Sequence, residues 1–199
     1  MTSRTAVLFV AASLSLFAAH SSRAELTQWR VEDGGNGHYY DIVVTPLQTW
    51  WASKAQAEGM GGYLASIRSA EENNWLWNTF NIGGTAAYWT STGPWPGYDG
   101  PVFGAYRTPS NQWTWVSGEQ WGWSNFNWSM GSGEGAAQLI AHSPYWDDIG
   151  ANGGTSAGGN VSFIVEFNTN PVPAPAASAL LAAGLACIRR RRVMRRKAQ

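Results

Sequence analysis

The pattern of apolar and polar positions in the central part of the chain begins with an extended run at residues 39–44. This run, Tyr-Tyr-Asp-Ile-Val-Val, is rich in aromatic and β-branched residues and predicts a strand. A helix is predicted over 49–58, because Thr49 suits the N-cap position and apolar residues recur behind it at helical spacing. Gly59 ends this helix.

A second helix is predicted to begin after Ser69. Ser69 and Glu72 have the spacing of a capping box, in which the serine caps the first turn and the glutamate reaches back toward the cap. The helix that follows would bury Trp75, Leu76 and Phe80 against a core.

Beyond residue 84 the chain becomes rich in Gly, Ser, Asn and Trp, and this texture predicts a long irregular loop region with short strands. The strand candidates, with a short extended piece before the second helix, are 63–67, 87–90, 112–116, 135–141 and 161–167. Two helices, small antiparallel sheets and a long loop indicate one α+β domain over residues 25–170. We expect its first and last strands to pair.

The first 24 residues have the pattern of a secretion signal. Arg4 supplies a basic start, residues 7–19 are almost wholly apolar, and Ser22-Arg23-Ala24 places small residues where a signal peptidase cuts. The apolar run is shorter than the span of about 20 residues that crosses a membrane. We therefore expect a signal peptide, 1–24, that is cleaved before Glu25; the alternative is an N-terminal anchor helix.

Residues 171–199 have the pattern of a second targeting segment. The run Val172-Pro173-Ala174-Pro175 precedes an apolar stretch at 176–188 and four arginines that begin at Arg189. An apolar stretch with a basic flank is typical of a stop-transfer segment with its basic side in the cytoplasm. The short stretch favours a transient insertion into the inner membrane.

This three-part order resembles the PEP-CTERM sorting tails of Gram-negative bacteria, although Ala174 stands where the family motif has Glu. The resemblance implies an exosortase-type membrane protease as a partner during export, after signal peptidase. It also implies localisation at the cell surface or in the extracellular matrix of a biofilm. The alternative is a plain C-terminal anchor.

Charge is segregated along the chain. All 13 carboxylates lie in residues 25–170 beside only four basic side chains, which gives this part a net charge of −9. Such an acidic domain repels phosphate backbones, so nucleic acid is excluded as a partner. The single cysteine, Cys187, lies in the tail, and the central domain therefore forms no disulfide.

Seven short segments occur in the order found in C-type lectin-like domains, and the chain resembles that family over residues 39–167. They are Gly61-Gly62-Tyr63-Leu64-Ala65-Ser66-Ile67, Ser69-Ala70-Glu71-Glu72-Asn73, Tyr88-Trp89-Thr90, Trp113-Thr114-Trp115-Val116-Ser117-Gly118-Glu119, Ser124-Asn125-Phe126, Trp146-Asp147-Asp148 and Phe163-Ile164-Val165-Glu166. The resemblance implies a C-type lectin-like fold. The family's core disulfide falls at the places of Ala57 and Val165, where we expect a packed apolar contact instead.

Sugar-binding members of that family hold a calcium ion with a Glu-Pro-Asn motif, a further Glu and a Trp-Asn-Asp motif. This chain contains no Glu-Pro-Asn. An alignment anchored at Asn125 deletes the motif and leaves Glu134, Asp147 and Asp148 as candidate calcium ligands, few for an ion that takes about 6–8 oxygens. An alignment anchored at Asn127 instead turns the motif into three residues that end at Glu134. The alternative is that both aspartates bond loop backbone groups.

All 13 tryptophans lie between Trp29 and Trp146. The tryptophans expected in the core are Trp50, Trp89, Trp113, Trp115 and Trp146. Those in the Gly-rich loop region are Trp95, Trp121, Trp123 and Trp128. Aromatic planes stack on the apolar faces of sugar rings, and the side chains expected to bind ligand in this way are Trp121, Trp123 and Trp128, with Asn125, Asp147 and Asp148 for the hydroxyls. Protein interfaces favour the same aromatic surface.

Catalysis is not indicated by any motif. The three histidines form no spaced metal cluster, no nucleophile motif is present, and the pair Glu71-Glu72 is interpreted as capping and solvent-facing. Glycosidases need two facing carboxylates, and the sequence does not exclude Glu119 with Asp148. We therefore expect a non-enzymatic, exported binding module, with polysaccharide as its ligand. The alternative is a calcium-independent structural or protein-binding matrix component.

Overall fold

The computed structural model describes residues 26–91, 97–127, 134–150 and 160–171. The helices are α1 (Trp50–Gly59) and α2 (Ala70–Thr79). The strands are β1 (Thr27–Gln28), β2 (Tyr39–Gln48), β3 (Tyr63–Leu64), β4 (Asp99–Arg107), β5 (Trp113–Trp115), β6 (Ala136–Ile140), β7 (Trp146–Ile149) and β8 (Asn160–Phe167). The predicted signal peptide and sorting motif, with Trp95 and Trp128, lie outside these residues. No helix in the described ranges is long and apolar enough to cross a membrane.

The strands form one connected sheet in the order β1-β2-β8-β4-β6-β7, with β3 on β8 and β5 on β4. The predicted pairing of the first and last long strands is confirmed, since β2 and β8 run antiparallel from Tyr39↔Phe167 to Val44↔Ser162. The sheet is mixed, because β4 and β8 pair in parallel at Val102↔Phe163. Strand β8 thus lies centrally, next to both the N-terminal part and the loop-rich part of the chain.

Both helix starts follow from their capping residues. Thr49 Oγ1 accepts a hydrogen bond from Ala52 N at 3.2 Å, and Ser69 Oγ accepts one from Glu72 N at 3.1 Å. The carboxylate of Glu72 reaches back to the main-chain N–H of Arg68 at 2.8 Å, one residue before the cap. Glu72 is only 2% exposed, so the interpretation of this glutamate as solvent-facing is wrong.

The core is built from aromatic residues, as predicted, since Trp50, Trp89, Trp115 and Trp146 are all buried. Trp113 is half-buried and packs against the edge of the same core. A second apolar cluster includes both Ala57 and Val165, each fully inaccessible to solvent. Apolar packing thus occupies the two places at which the family's disulfide falls.

Strand β4 was not predicted from the sequence. The predicted strand at 87–90 is wrong, because Ala86–Tyr88 forms a single 3-10 turn. Strand β4 carries two glycines and a proline, which signal turns rather than strands. Gly104 is required there because a Cβ atom would lie 2.3 Å from Leu64 O, where β3 approaches closely. The short strand β7 was also not predicted.

Candidate functional site

Asp148, one of the predicted calcium ligands, is buried on β7. Its Oδ2 atom accepts a hydrogen bond from the main-chain N–H of Glu134 at 3.1 Å and lies 3.7 Å from Nη2 of Arg107. Asp148 therefore orders the approach to β6 and pairs with a guanidinium group. This arrangement agrees with the alternative that the aspartate bonds loop backbone.

Asp147 points to the opposite face of β7, because successive residues of a strand alternate between its two faces. Its register partner on β6 is Gln138. Burial raises the pKa of Asp147 to about 6, and the carboxylates of Asp148, Glu134 and Asp99 contribute to the same shift. The side chains of Asp147 and Asp148 therefore lie on opposite faces of the sheet, although the two residues are adjacent in sequence.

The three predicted calcium ligands do not converge. Glu134 has an exposed position before β6 and meets Asp148 through its main-chain N–H rather than through its carboxylate. Within the described ranges, no group of three or more His, Cys, Asp or Glu side chains is placed to hold one metal ion. As placed, the set does not fit a calcium ion. Calcium at these residues stays a prediction from the resemblance.

Two of the predicted ligand-binding tryptophans, Trp121 and Trp123, are half-buried rather than fully exposed. Trp121 stacks on Trp113 with ring centroids 6.0 Å apart, and its ring lies 4.7 Å from that of Trp115. Trp123 packs edge-to-face against the buried ring of Trp146 at 5.2 Å. We call Trp113, Trp121 and Trp123 the aromatic ridge. Core tryptophans support it from below and fix its ring planes.

Asn125 lies beside this ridge and is held firmly. The side-chain Nδ2 atom of Asn125 donates to Pro144 O at 2.7 Å, and the main-chain carbonyl oxygen of Asn125 accepts from Trp146 N at 3.0 Å. The chain continues along β7, since Asn127 N donates to Trp146 O at 3.0 Å. Trp123 and Asn125 thus both contact Trp146 of β7, through a ring contact and a main-chain hydrogen bond respectively. Nδ2 of Asn125 is therefore committed to Pro144, and the side-chain carbonyl is the other polar group of that amide.

The carboxylate pair considered for glycosidase chemistry is committed to other partners. Glu119 Oε1 lies 3.1 Å from Nη1 of Arg68, and Glu119 Oε2 accepts from Ser117 Oγ at 3.1 Å. Asp148 pairs with Arg107, as described above. Each carboxylate is therefore matched with its own arginine.

A buried acid network is the main feature that the sequence analysis missed. Nδ1 of His38 donates to Oε1 of Glu166 at 2.5 Å, and the hydroxyl of Tyr40 lies between two carboxylates, at 2.6 Å from Glu72 and 3.2 Å from Glu166. Ser66 N donates to the second oxygen of Glu166 at 2.8 Å. One signal was available: Glu166 interrupts an apolar run in a strand that was predicted to be central.

Burial dominates the electrostatics of this network. It raises the pKa of Glu72 to about 7 and raises the pKa of Tyr40 well above its usual value. The hydrogen bond to Glu166 raises the pKa of His38, so the imidazole favours its charged form beside that carboxylate. Because Glu72 and Glu166 are shielded from solvent, the network can position structural elements but cannot contact a large ligand.

No protein-family model and no curated protein matches the chain. Solved structures do resemble it. Human lithostathine aligns with a TM-score of 0.55 at 15% identity, covering 74% of this chain and 99% of lithostathine. The human scavenger receptor C-type lectin carbohydrate-recognition domain aligns with a TM-score of 0.52 at 18% identity, covering 75% of this chain and 100% of that domain.

A third structure is the C-type lectin domain of murine dendritic cell inhibitory receptor 2, in complex with N-glycan. It aligns with a TM-score of 0.51 at 15% identity, covering 66% of this chain and 91% of that domain. Identities this low establish the fold alone. The two helices, the central strand β8 and the mixed sheet therefore give this chain a C-type lectin-like fold.

Proposed function

We propose that this protein is an exported, non-enzymatic binding module that takes carbohydrate on the aromatic ridge. The observation that carries the proposal is the support of Trp121 and Trp123 by the buried rings of Trp115 and Trp146. A stacking surface whose rings are already fixed loses little side-chain entropy when a ligand binds. Asn125, tied to the same strand, supplies a polar group at a fixed place beside the rings.

The fold and the chemistry of the ridge support the same class of ligand. Two of the similar structures are a carbohydrate-recognition domain and a C-type lectin domain in complex with N-glycan. In this chain the aromatic planes would take the apolar face of a sugar ring, and the Asn125 carbonyl would accept from a hydroxyl. The net charge of −9 in residues 25–170 favours a neutral polysaccharide over an anionic one.

The proposal includes export of the protein from the cytoplasm. The secretion signal at 1–24 and the sorting tail at 171–199 support delivery through the inner membrane to the cell surface or the surrounding matrix. The proposed ligand is therefore a polysaccharide of that matrix. Signal peptidase and an exosortase-type protease would be its processing partners.

The experiment measures binding of the purified protein to a panel of neutral polysaccharides, followed by calorimetry on the best ligand. Trp121→Ala and Trp123→Ala should each weaken binding by roughly 30-fold, the effect of losing an energetically central interface aromatic. Trp51→Ala is the matched control, because Trp51 is 46% exposed on α1 and also contacts aromatic neighbours. Near-ultraviolet circular dichroism must show that all variants keep the parent fold. Equal affinity in the parent and both ridge variants would refute carbohydrate binding at the ridge.

Protein binding is a second candidate function, favoured by a different surface. Val44, Leu47 and Trp51 are 52%, 46% and 46% exposed, and they lie within eight positions of the sequence, where β2 leads into α1. Single exposed apolar residues are common, but three large ones within eight positions favour an interaction surface in this part of the chain, which we call the β2–α1 patch. If Trp51→Ala abolishes attachment to cells or matrix while the ridge variants retain it, the module acts through this patch.

A further inference from the structure

An exposed imidazole lies on a buried tryptophan at the turn between β6 and β7. The ring of His142 stacks on that of Trp89, with centroids 4.2 Å apart and planes inclined by 25°. Trp89 is buried and is itself fixed, since its Nε1 atom donates to Ile82 O at 2.9 Å. His142 is exposed to solvent. An accessible ring supported by a buried tryptophan is also the arrangement of Trp121 and Trp123 in the aromatic ridge.

The two nitrogen atoms of His142 have different surroundings. Nδ1 lies 2.9 Å from Gly83 O, and because a carbonyl oxygen only accepts, Nδ1 is the nitrogen that carries the proton. In the neutral imidazole the other nitrogen, Nε2, is therefore an acceptor. Gly97 lies beside it, and a Cβ atom at Gly97 would be only 3.1 Å from Nε2. The glycine keeps this space free of a side chain, so Nε2 is the nitrogen that can accept from a ligand hydroxyl.

The backbone of this turn adopts a costly conformation. Ala141 and His142 both have a φ of 51°, in the left-handed region that residues other than glycine rarely occupy. Ser143 closes the turn, because its main-chain N–H donates to Ile140 O at 2.9 Å and its hydroxyl donates to the same oxygen at 2.7 Å. Backbone strain of this kind is concentrated at ligand-binding sites. Here one of the two strained residues is the one whose ring stacks on Trp89.

The turn is joined to the candidate site. Pro144 O accepts from Nδ2 of Asn125 at 2.7 Å. Trp146, whose ring supports Trp123, begins β7 at the end of the turn. Since four positions separate His142 from Trp146, their Cα atoms lie within about 14 Å of each other. A chain of several sugar units is long enough to reach both places, whereas a single sugar is not.

We infer that His142 forms a second contact for a neutral polysaccharide, with its outer face against a sugar ring and Nε2 accepting from a sugar hydroxyl. The inference rests on the proposed function and extends it, because the ligand becomes a chain of several sugar units that spans the ridge and the β6–β7 turn. When two linked contacts bind one chain, the second forms at a high effective concentration. Long fragments of the polysaccharide should therefore bind more tightly than short ones.

The first test is calorimetry of the purified full-length protein with the polysaccharide of the panel that binds best. His142→Asn removes the ring and introduces a residue that tolerates the left-handed region, so the turn should still form. This variant should unfold as cooperatively as the parent and bind the polysaccharide about tenfold more weakly. Ala141→Gly is the matched control, because it relieves strain at the neighbouring position and leaves the imidazole in place. It should bind as the parent does.

A second readout detects the contact itself. The imidazole C–H signals of His142 in nuclear magnetic resonance spectra, identified by their loss in His142→Asn, should shift when fragments of the polysaccharide are added. The signals of His38 are the internal reference and should not shift, because the Nδ1 atom of His38 is bonded to the buried carboxylate of Glu166.

The outcomes separate this inference from the proposed function. If the ridge variants Trp121→Ala and Trp123→Ala lose binding while His142→Asn binds as the parent does, the inference is wrong and the proposed function stands. If His142→Asn loses binding and both ridge variants retain it, His142 is a ligand contact and the ridge is not. A parent that binds no polysaccharide of the panel would overturn both.

Discussion

Replacing Glu72 by glutamine should change how the stability of this protein depends on pH. Glu72 is buried on the first turn of α2, where its oxygens accept from Tyr40, Asn36 and the main-chain N–H of Arg68. Burial is the first cause of its raised pKa and outweighs these hydrogen bonds. Glutamine keeps the size of the side chain and one acceptor oxygen, and it stays neutral at every pH.

The size of the effect follows from the pKa of Glu72 in the two states. The value is 4.5 for the free group and about 7 in the folded protein. Between these values the folded state holds a proton that the unfolded state has released. The raised pKa therefore contributes stability that is complete below pH 4.5 and is lost as the pH rises through about 7. A shift of this size corresponds to about 3 kcal/mol.

His38 acts in the same direction. Its pKa is raised above 6.5 by the hydrogen bond to Glu166, so its contribution is complete below that value and is lost as the pH rises through the folded-state pKa. The parent should consequently lose stability from pH 5 to pH 8. In Glu72→Gln the part of this loss that belongs to Glu72 disappears, and the parts that belong to His38 and to Asp147, whose pKa is raised to about 6, remain.

The assay is urea unfolding of parent and variant at pH 5, 6, 7 and 8, with the free energy of unfolding extrapolated to water. The difference between the two proteins should change by about 2.5 kcal/mol between pH 5 and pH 8, in favour of the variant at high pH. This change is independent of any constant cost from the lost hydrogen bond. Glu71→Gln is the control, because Glu71 is the exposed neighbour and its lowered pKa titrates below this range. Parallel curves for the parent and Glu72→Gln over pH 5–8 would refute the reasoning.

Three further changes test the packing and the network. Gly104→Ala should destabilise the domain by about 3 kcal/mol in urea unfolding, because its Cβ would meet Leu64 O at 2.3 Å; an unchanged midpoint would contradict the close approach. Trp50→Phe should cost about 1–3 kcal/mol, because the buried bond from Trp50 Nε1 to Phe103 O, 2.8 Å long, is lost and the carbonyl is left bare; a fully stable variant would contradict this role. His38→Gln should destabilise the protein more at pH 5 than at pH 9, and an equal loss at both values would mean that imidazole charge plays no part.

The predictions that the structure confirms rest on short-range features of the sequence. Thr49 and Ser69 mark helix starts by chemistry that acts within three residues, and both caps form. The run at 161–167 is apolar enough to require a central position, which β8 occupies. Strand β4 was not predicted because its glycines resemble turn residues. Gly104 is needed there because Leu64, forty residues away in sequence, approaches its backbone closely. A requirement that comes from such a distant residue cannot be seen in the neighbouring sequence.

The candidate site was harder to predict because its geometry depends on strands that the sequence did not reveal. Asp147 and Asp148 were treated as one pair of ligands, and only the existence of β7 separates them onto two faces of the sheet. Trp121 and Trp123 were expected in the Gly-rich loop region, and the structure shows that they also pack against the core tryptophans Trp115 and Trp146. The partners of Glu166 lie 100 to 128 residues away in sequence, so pattern reasoning could not find them.

The acid network also bears on how a lectin-like domain holds together without its disulfide. A disulfide stabilises a fold largely by restricting the unfolded chain, and that contribution does not vary with proton binding in the native state. Here Tyr40, Glu72 and Glu166 join β2, α2 and β8 by hydrogen bonds that exist only in the folded protein. Because Glu72 and His38 both favour their protonated forms there, this connection is strongest under mildly acidic conditions. The apolar contacts around Ala57 and Val165 do not titrate, so they set the stability that remains when the pH rises.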